Sequence, residues 1–254
     1  MSACGTGTSH TDGETKNLTS GNWLLIEKSI IYPTIPAVYF RGALAPASGS
    51  VSGTMTTTGN SCLTTSPFSL SGSITGNTVT LTSASIRSQV MTITGAINSA
   101  TNFDGTYSKP GGTDTRTCAD DSGTVYSTLV PSITGSWSGT LNSYSTGAIS
   151  ITATLDQAAA AADGTFPLSG TVTLNNSPCF TSGTIDSSKS LITGEEVALV
   201  ATSGGASLTL NAVLANPTMA TVMQGGFGGY VTGYNIQGGA CGADSGTIGT
   251  LNKS

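Results

Sequence analysis

The chain has 254 residues, of which only 8% are charged, and its formal net charge is −5. No run of Lys or Arg could neutralise phosphates, which argues against a nucleic-acid partner. No apolar stretch is long enough to span a bilayer as a helix. Solubility in so weakly charged a chain rests on Ser, Thr, Asn and Gly.

In chain order, the first feature is Met1-Ser2-Ala3-Cys4-Gly5, followed by a polar stretch, Thr6 to Ser20, with almost nothing apolar. Such a composition predicts a flexible linker. Ser2-Ala3-Cys4 resembles the last three positions of the bacterial lipoprotein lipobox, with Met1 where Leu is usual. The resemblance implies a mature chain that starts just inside a removed signal peptide. It also implies a membrane partner reached through a lipid on Cys4, and the bacterial cell envelope (periplasmic or outer-membrane surface) as location. Gly5, rather than Asp, is compatible with outer-membrane sorting in that family.

From Trp23 onward the motifs occur twice. Gly21-Asn22-Trp23 is answered by Gly135-Ser136-Trp137. Ser52-Gly53-Thr54 with Cys62 is answered by Ser169-Gly170-Thr171 with Cys179. Cys118 with Asp121-Ser122-Gly123-Thr124 is answered by Cys241 with Asp244-Ser245-Gly246-Thr247. The offsets are 114, 117 and 123 residues, so order is kept and only loop lengths drift. This pattern predicts a tether over 1–20, a β domain over 21–130 and a second over 131–254. Each copy, at about 115 residues, is long enough to bury its own core.

Within the copies the texture has period two. Thr78-Val79-Thr80-Leu81-Thr82 alternates hydroxyl and aliphatic side chains, and Ile149 to Leu155 and Leu208 to Ala212 do the same. Alternation with β-branched residues predicts half-buried antiparallel strands, aliphatic side inward. Strands are expected near 22–28, 37–44, 50–57, 67–74, 77–84, 89–97, 103–108 and 123–129. In the second copy they fall near 133–142, 147–156, 166–174, 180–186, 196–202, 206–214, 219–234 (broken at its glycines) and 246–251. Gly76-Asn77 reads as a tight hairpin turn, and the alanine run after Asp156 as a loop with at most one helical turn. The fold class is therefore all-β: two tandem antiparallel barrels of about eight strands each, or alternatively two β-sandwiches. Leu129-Val130-Pro131-Ser132 is a junction short enough for the units to touch.

Gly-x-Trp at the opening strands resembles the lipocalin and avidin barrels, as does Phe103-Asp104-Gly105-Thr106-Tyr107. That likeness implies that Trp23 and Trp137 close one end of each barrel; the biotin-contacting residues of avidins have no matching motif here. Over the whole chain, the repeated Ser-Gly-Thr…Cys and Cys-x-x-Asp-Ser-Gly-Thr blocks resemble the β domains of bacterial surface lipoproteins. That family implies location and fold, and no activity.

In an exported chain the matching cysteines suggest Cys62–Cys118 and Cys179–Cys241. Four cysteines allow three pairings, and the duplication favours this one. Each such bridge would contribute roughly 4 kcal/mol through the denatured state. Zinc has no CxxC to bind, and neither a metal nor a cofactor is implied.

Catalytic chemistry is poorly provided for. His10, the sole imidazole, lies in the tether, so Ser-His and Cys-His nucleophiles lack a base. Asp120–Asp121 and Glu195–Glu196 are adjacent, and neighbours on a strand point to opposite faces. Asp121 and Asp244 are expected in Asx turns closed by Ser-Gly. Gly225 to Tyr230 is glycine-rich without the strand-to-helix setting of a phosphate loop. Ile30 to Phe40 is apolar and unrepeated: a lid, a partner patch or a seal against the second copy. Arg41 and Arg87 could anchor an anionic ligand. The expected protein is a non-enzymatic binding or structural module. Its alternative is a carrier of a small apolar ligand, with Trp23, Tyr39, Phe40, Arg41 and Trp137 as candidate contacts. Any specific site is expected where the copies differ: Ile30–Phe40, Asp104 and the glycines before Tyr230.

Overall fold

The structure is a computed structural model that describes residues 16–58, 67–85, 89–111, 120–225, 233–239 and 242–254. Among these residues every regular element is a strand. The first copy contains β1 (Gly21–Ser29), β2 (Val38–Ala47), β3 (Ser50–Thr58), β4 (Phe68–Thr75), β5 (Thr78–Ser83), β6 (Thr92–Ser99), β7 (Asn102–Lys109) and β8 (Asp121–Val130). Each pairs antiparallel with the next, and β8 returns to β1, so the sheet closes into an up-and-down barrel. Closure leaves no unpaired edge for a threonine-rich chain to offer to its neighbours.

The second copy repeats this plan with two staves broken. Its strands are β9 (Gly135–Ser143), β10 (Gly147–Gln157), β11 (Phe166–Asn175), β12 (Ser182–Ile185), β13 (Leu191–Thr193), β14 (Glu196–Ser203), β15 (Ala206–Leu214), β16 (Val222–Gln224), β17 (Gly233–Gln237) and β18 (Ala243–Lys253). Both β12 and β13 lie between β11 and β14, and both β16 and β17 lie between β15 and β18. With β18 paired to β9, eight staves close a second barrel. The barrel prevails over the sandwich because within each copy every stave pairs with the staves before and after it, and the last returns to the first.

The alternation works as the side chains dictate. Along β10, Ile149, Ile151, Ala153 and Leu155 are buried while Ser150, Thr152 and Thr154 face water. The Gly76-Asn77 turn joins β4 to β5 with Thr75 opposite Thr78. Trp23 and Trp137 are fully enclosed, and each indole donates to the carbonyl four residues earlier, Thr19 at 3.0 Å and Ile133 at 2.8 Å. That repeated bond explains why Gly-x-Trp recurs. It also shortens the expected tether: Leu18 is buried in the first barrel's core, and Thr19 N–H donates to Ala100 O. Residues 16–20 thus belong to the barrel floor. Residues 1–15, with Cys4 and His10, lie outside the described residues.

Strands β1 and β2 break the alternation, because both of their faces are buried. The outward side chains Leu24, Ile26, Tyr39 and Ala43 pack into the hydrophobic cluster of the second barrel. Register places their second-copy counterparts at Ser138, Thr140, Ser150 and Thr154, all exposed. The outer wall of barrel one is thus apolar where it meets barrel two, and the equivalent wall of barrel two is hydroxylated where it meets water. Ile30–Phe40 divides accordingly. Phe40 points into barrel one and Tyr39 into the seam, whereas Ile30, Ile31 and Ile35 are about half exposed or more. The loop is not the seal between the barrels.

Candidate functional site

The seam carries the densest polar contacts between the copies. Arg41, on β2, is buried and grips Glu195 with two bonds, Nε to Oε2 at 3.1 Å and Nη2 to Oε1 at 2.6 Å. Its Nη2 also lies 3.3 Å from Glu196 Oε1, and its guanidinium stacks 4.9 Å from the centre of the Tyr39 ring. Glu195 and Glu196 therefore converge on one cation. The expectation that they diverge fails because Glu195 sits in the turn before β14, outside strand geometry. Burial pushes the Glu196 carboxyl up, with Arg41 pulling it down and Glu195 pushing it up again. Beside this fork, Asn22 reads the backbone of Gly194 in both directions, donating to its carbonyl at 2.8 Å and accepting from its N–H at 2.7 Å. Arg41 is thus committed to protein partners, which removes it as an anchor for an anionic ligand.

At the β1–β2 rim of barrel one lies a polar layer. Asp121 opens β8 and points inward, where Ser29 Oγ donates to Oδ1 at 2.6 Å and Tyr107 OH donates to Oδ2 at 2.8 Å. Asp244, the second residue of β18, does the same, accepting from Ser143 at 2.7 Å and Tyr234 at 3.0 Å, with Ser145 adding a third bond. These carboxylates are cross-strand clasps rather than the expected Asx turns; the duplication preserved a Ser–Asp–Tyr set that spans three staves. Burial pushes Asp244 up, but its hydroxyl partners together bring it below the ordinary carboxylate range. Tyr234 is pushed up to about 12, chiefly by burial. A small cleft of about 270 Å³ opens beside Asp244, lined by Tyr144, Asn235 and Ser245.

Barrel one adds charges that barrel two lacks. Glu27 and Lys109 face inward and pair at 3.0 Å, and Lys109 Nζ stands 3.6 Å from Asp121 Oδ2. Burial pushes Glu27 up to about 7, against the opposing pull of Lys109. Among the described residues, its Oε1 and the Oγ1 of buried Thr57 have no hydrogen-bond partner. Register aligns Glu27 with Leu141, Thr57 with Leu174 and Lys109 with Ile236. Sequence reading passed over Glu27 and Lys109, yet a signal was there. Trp23, Leu25 and Glu27 share one parity, as do Phe103, Tyr107 and Lys109, so each charge falls on an inward-facing position.

A larger cleft lies on the outside, along the seam, with a volume of about 750 Å³. Leu24, Ile26, Leu129 and Pro131 form an apolar floor, Tyr126 and Asp104 flank it, and Thr218 reaches in from barrel two. Asp104 accepts from Asn98 at 2.9 Å and from Asn102. The five candidate contacts are not brought together. Trp23 and Phe40 fill barrel one, Trp137 fills barrel two, and Tyr39 and Arg41 belong to the seam. Arg87 and the 226–230 part of the glycine run lie outside the described residues.

Cys179 is buried and disulfide-bonded, while Cys4, Cys62, Cys118 and Cys241 lie outside the described residues. Among the described residues no helix is long and apolar enough to cross a membrane, which says nothing of strands. Compared with protein-family models, curated proteins and solved structures, the chain matches none.

Proposed function

We propose that this chain is a non-enzymatic cell-envelope lipoprotein, lipid-anchored through Cys4, whose paired barrels form a rigid binding module. The observation that carries the binding role is the seam cleft. Large side chains occupy the barrel interiors: Trp23, Phe40, Met55, Phe103 and Ile93 in the first, Trp137, Leu141 and Leu168 in the second. The described concave surfaces are on the outer walls and rims, so the carrier of an enclosed apolar ligand finds no support among them. Locking by Arg41, Glu195 and Asn22 holds the cleft's walls in fixed relation, which lowers the ordering cost of binding.

The cleft suits a glycan. Tyr126 is half exposed and supplies an aromatic ring for sugar C–H groups, while Asp104 presents carboxylate acceptors at its edge. The Asp104 charge favours a neutral or amino sugar over an acidic one. Isothermal titration with purified envelope polysaccharide tests this. Binding lost in Tyr126→Ala and in Asp104→Ala supports the cleft; equal binding by wild type and both variants sinks it. Anchoring is tested separately by fatty-acid labelling in the producing bacterium, where Cys4→Ser should abolish the label.

A further inference from the structure

We propose that Lys109 and Asp121 are joined by a side-chain amide, a covalent cross-link between β7 and β8 for which Glu27 carries the proton. The inference is independent of the binding role. Lys109 and Asp121 are direct partners in the β7–β8 register, and the Lys109 nitrogen lies between two carboxyl groups, 3.0 Å from Glu27 and 3.6 Å from Asp121. The three side chains are 5%, 0% and 19% exposed in that order. Ser29 and Tyr107 each hold one Asp121 oxygen, which fixes the carboxyl plane and supplies donors where charge develops during attack. The Oε1 of Glu27, without a hydrogen-bond partner among the described residues, can take a proton without breaking a bond to any of them. Burial independently raises the proton affinity of Glu27.

Barrel two acts as an internal control. It keeps the carboxylate and both hydroxyls as Asp244, Ser143 and Tyr234. It has Ile236 in place of the amine and Leu141 in place of the acid. The clasp therefore needs neither charge, and amine and proton carrier are present together or missing together. An enclosed Lys–Glu pair costs desolvation of two ions, which the aliphatic pair avoids.

The step balances. Lys109 gives up one proton, which passes by way of Glu27 to an oxygen of Asp121, leaving a neutral amine beside a neutral carboxylic acid. The amine lone pair forms the bond to Asp121 Cγ. A second nitrogen proton moves to the same oxygen, the C–O bond breaks and water departs. The three ammonium hydrogens end as one amide N–H and the two hydrogens of water, and Glu27 is unchanged. The pair begins and ends with zero net charge, and no oxidant is needed. In bulk water hydrolysis is favoured; enclosure reverses the balance because the amide removes two buried charges and the product water leaves the site.

Intact-mass measurement of the folded, reduced full chain tests this. The wild type should weigh one water less than its sequence, and Lys109→Arg and Glu27→Gln should carry their full mass. After tryptic cleavage at Arg116, which separates the two residues in sequence, the peptide bearing Lys109 should remain attached to the one bearing Asp121. A folded wild type at full sequence mass overturns the proposal however the variants behave. So does a mass loss with the two peptides unlinked.

Discussion

Glu27 and Leu141 occupy the same place in two copies of one barrel: Glu27 faces Val125 across the closing strand pair, and Leu141 faces Ile248. The duplicated frame thus supports either a carboxylate or an isobutyl group at this inward position. What differs is the neighbour, Lys109 in one barrel and Ile236 in the other. Charge and partner thus vary together between the two copies.

The first prediction concerns pH. Glu27 holds its proton up to about 7 in the folded chain, against 4.5 as the ordinary value, with burial the main cause. The folded state therefore binds the proton more tightly than the unfolded state. The associated stability is complete below the ordinary value and is lost as pH rises from about 4.5 to about 7, by on the order of 3 kcal/mol. The direction is the same whether Lys109 is an ammonium or an amide, since burial leads. Urea unfolding on either side of that interval should show the wild type more stable on the acidic side. Glu27→Gln should flatten the difference, and a slope surviving in Glu27→Gln assigns it elsewhere.

A second prediction concerns the seam. Truncating Arg41 leaves Glu195 buried without its cation, at a cost of about 3–5 kcal/mol to docking of the barrels. Arg41→Lys should recover little, because an ammonium cannot reproduce the two-bond fork. Gly194→Ala should act similarly: the backbone there has φ +52°, and a Cβ would fall 2.6 Å from Arg41 Cγ. Calorimetry should split one unfolding transition into two in Arg41→Ala and Gly194→Ala. A single transition in both would show that the apolar contacts of Leu24, Ile26 and Tyr39 suffice.

The strand plan was legible because alternation is a local property: Ile149-Ser150-Ile151-Thr152 declares its inner face without reference to the rest of the chain. The expected strand near 180–186 and that over 219–234 were harder, since each is one stave built of two pieces; β13 and β16 are three residues long and depend on neighbours to exist. The seam was not legible. Leu24 and Ile26 look like core residues of their own barrel until the parity of Trp23 and Leu25 assigns them outward. Arg41 was picked out by its rarity, but only the turn at Gly194 shows what it grips. The cleft was half visible, since Asp104 stood out as unrepeated, whereas Tyr126 is unremarkable until the closing strand pair sets it beside Ile26.

A third prediction addresses the duplicated clasp. Asp244→Ala removes the acceptor of Ser143, Ser145 and the buried Tyr234 hydroxyl. Leaving that hydroxyl without a partner should cost about 2 kcal/mol, read as a lower urea midpoint with an unchanged slope. Because Asp244 is held below its ordinary value, its stabilisation is present above that value and lost as pH falls through the folded one. The acid limb of wild-type stability should therefore be blunted in Asp244→Ala, in the direction opposite to the Glu27 effect.

The last prediction pairs the cysteines. Cys179 is disulfide-bonded, and a side chain added at Gly239 would run into the Cys179 carbonyl, so the chain two residues before Cys241 passes directly against Cys179. That approach favours Cys241 as the partner. In barrel one, β3 ends and β8 begins at the same rim: Thr58 lies across from Tyr39, near the start of β2, and Gly123 lies across from Ser29, the end of β1. The connections bearing Cys62 and Cys118 therefore leave from one end of the barrel, which favours their pairing over a link between barrels. Non-reducing peptide mapping should recover Cys62–Cys118 and Cys179–Cys241, and a link between copies would break the correspondence of the two domains. Replacing both cysteines of one bridge by Ser should cost about 4 kcal/mol by the chain-entropy estimate. The loss should be confined to that barrel if the staple acts on its own domain, so when Cys179→Ser/Cys241→Ser is combined with Arg41→Ala, which uncouples the barrels, calorimetry should show the second barrel's transition lowered and the first left in place.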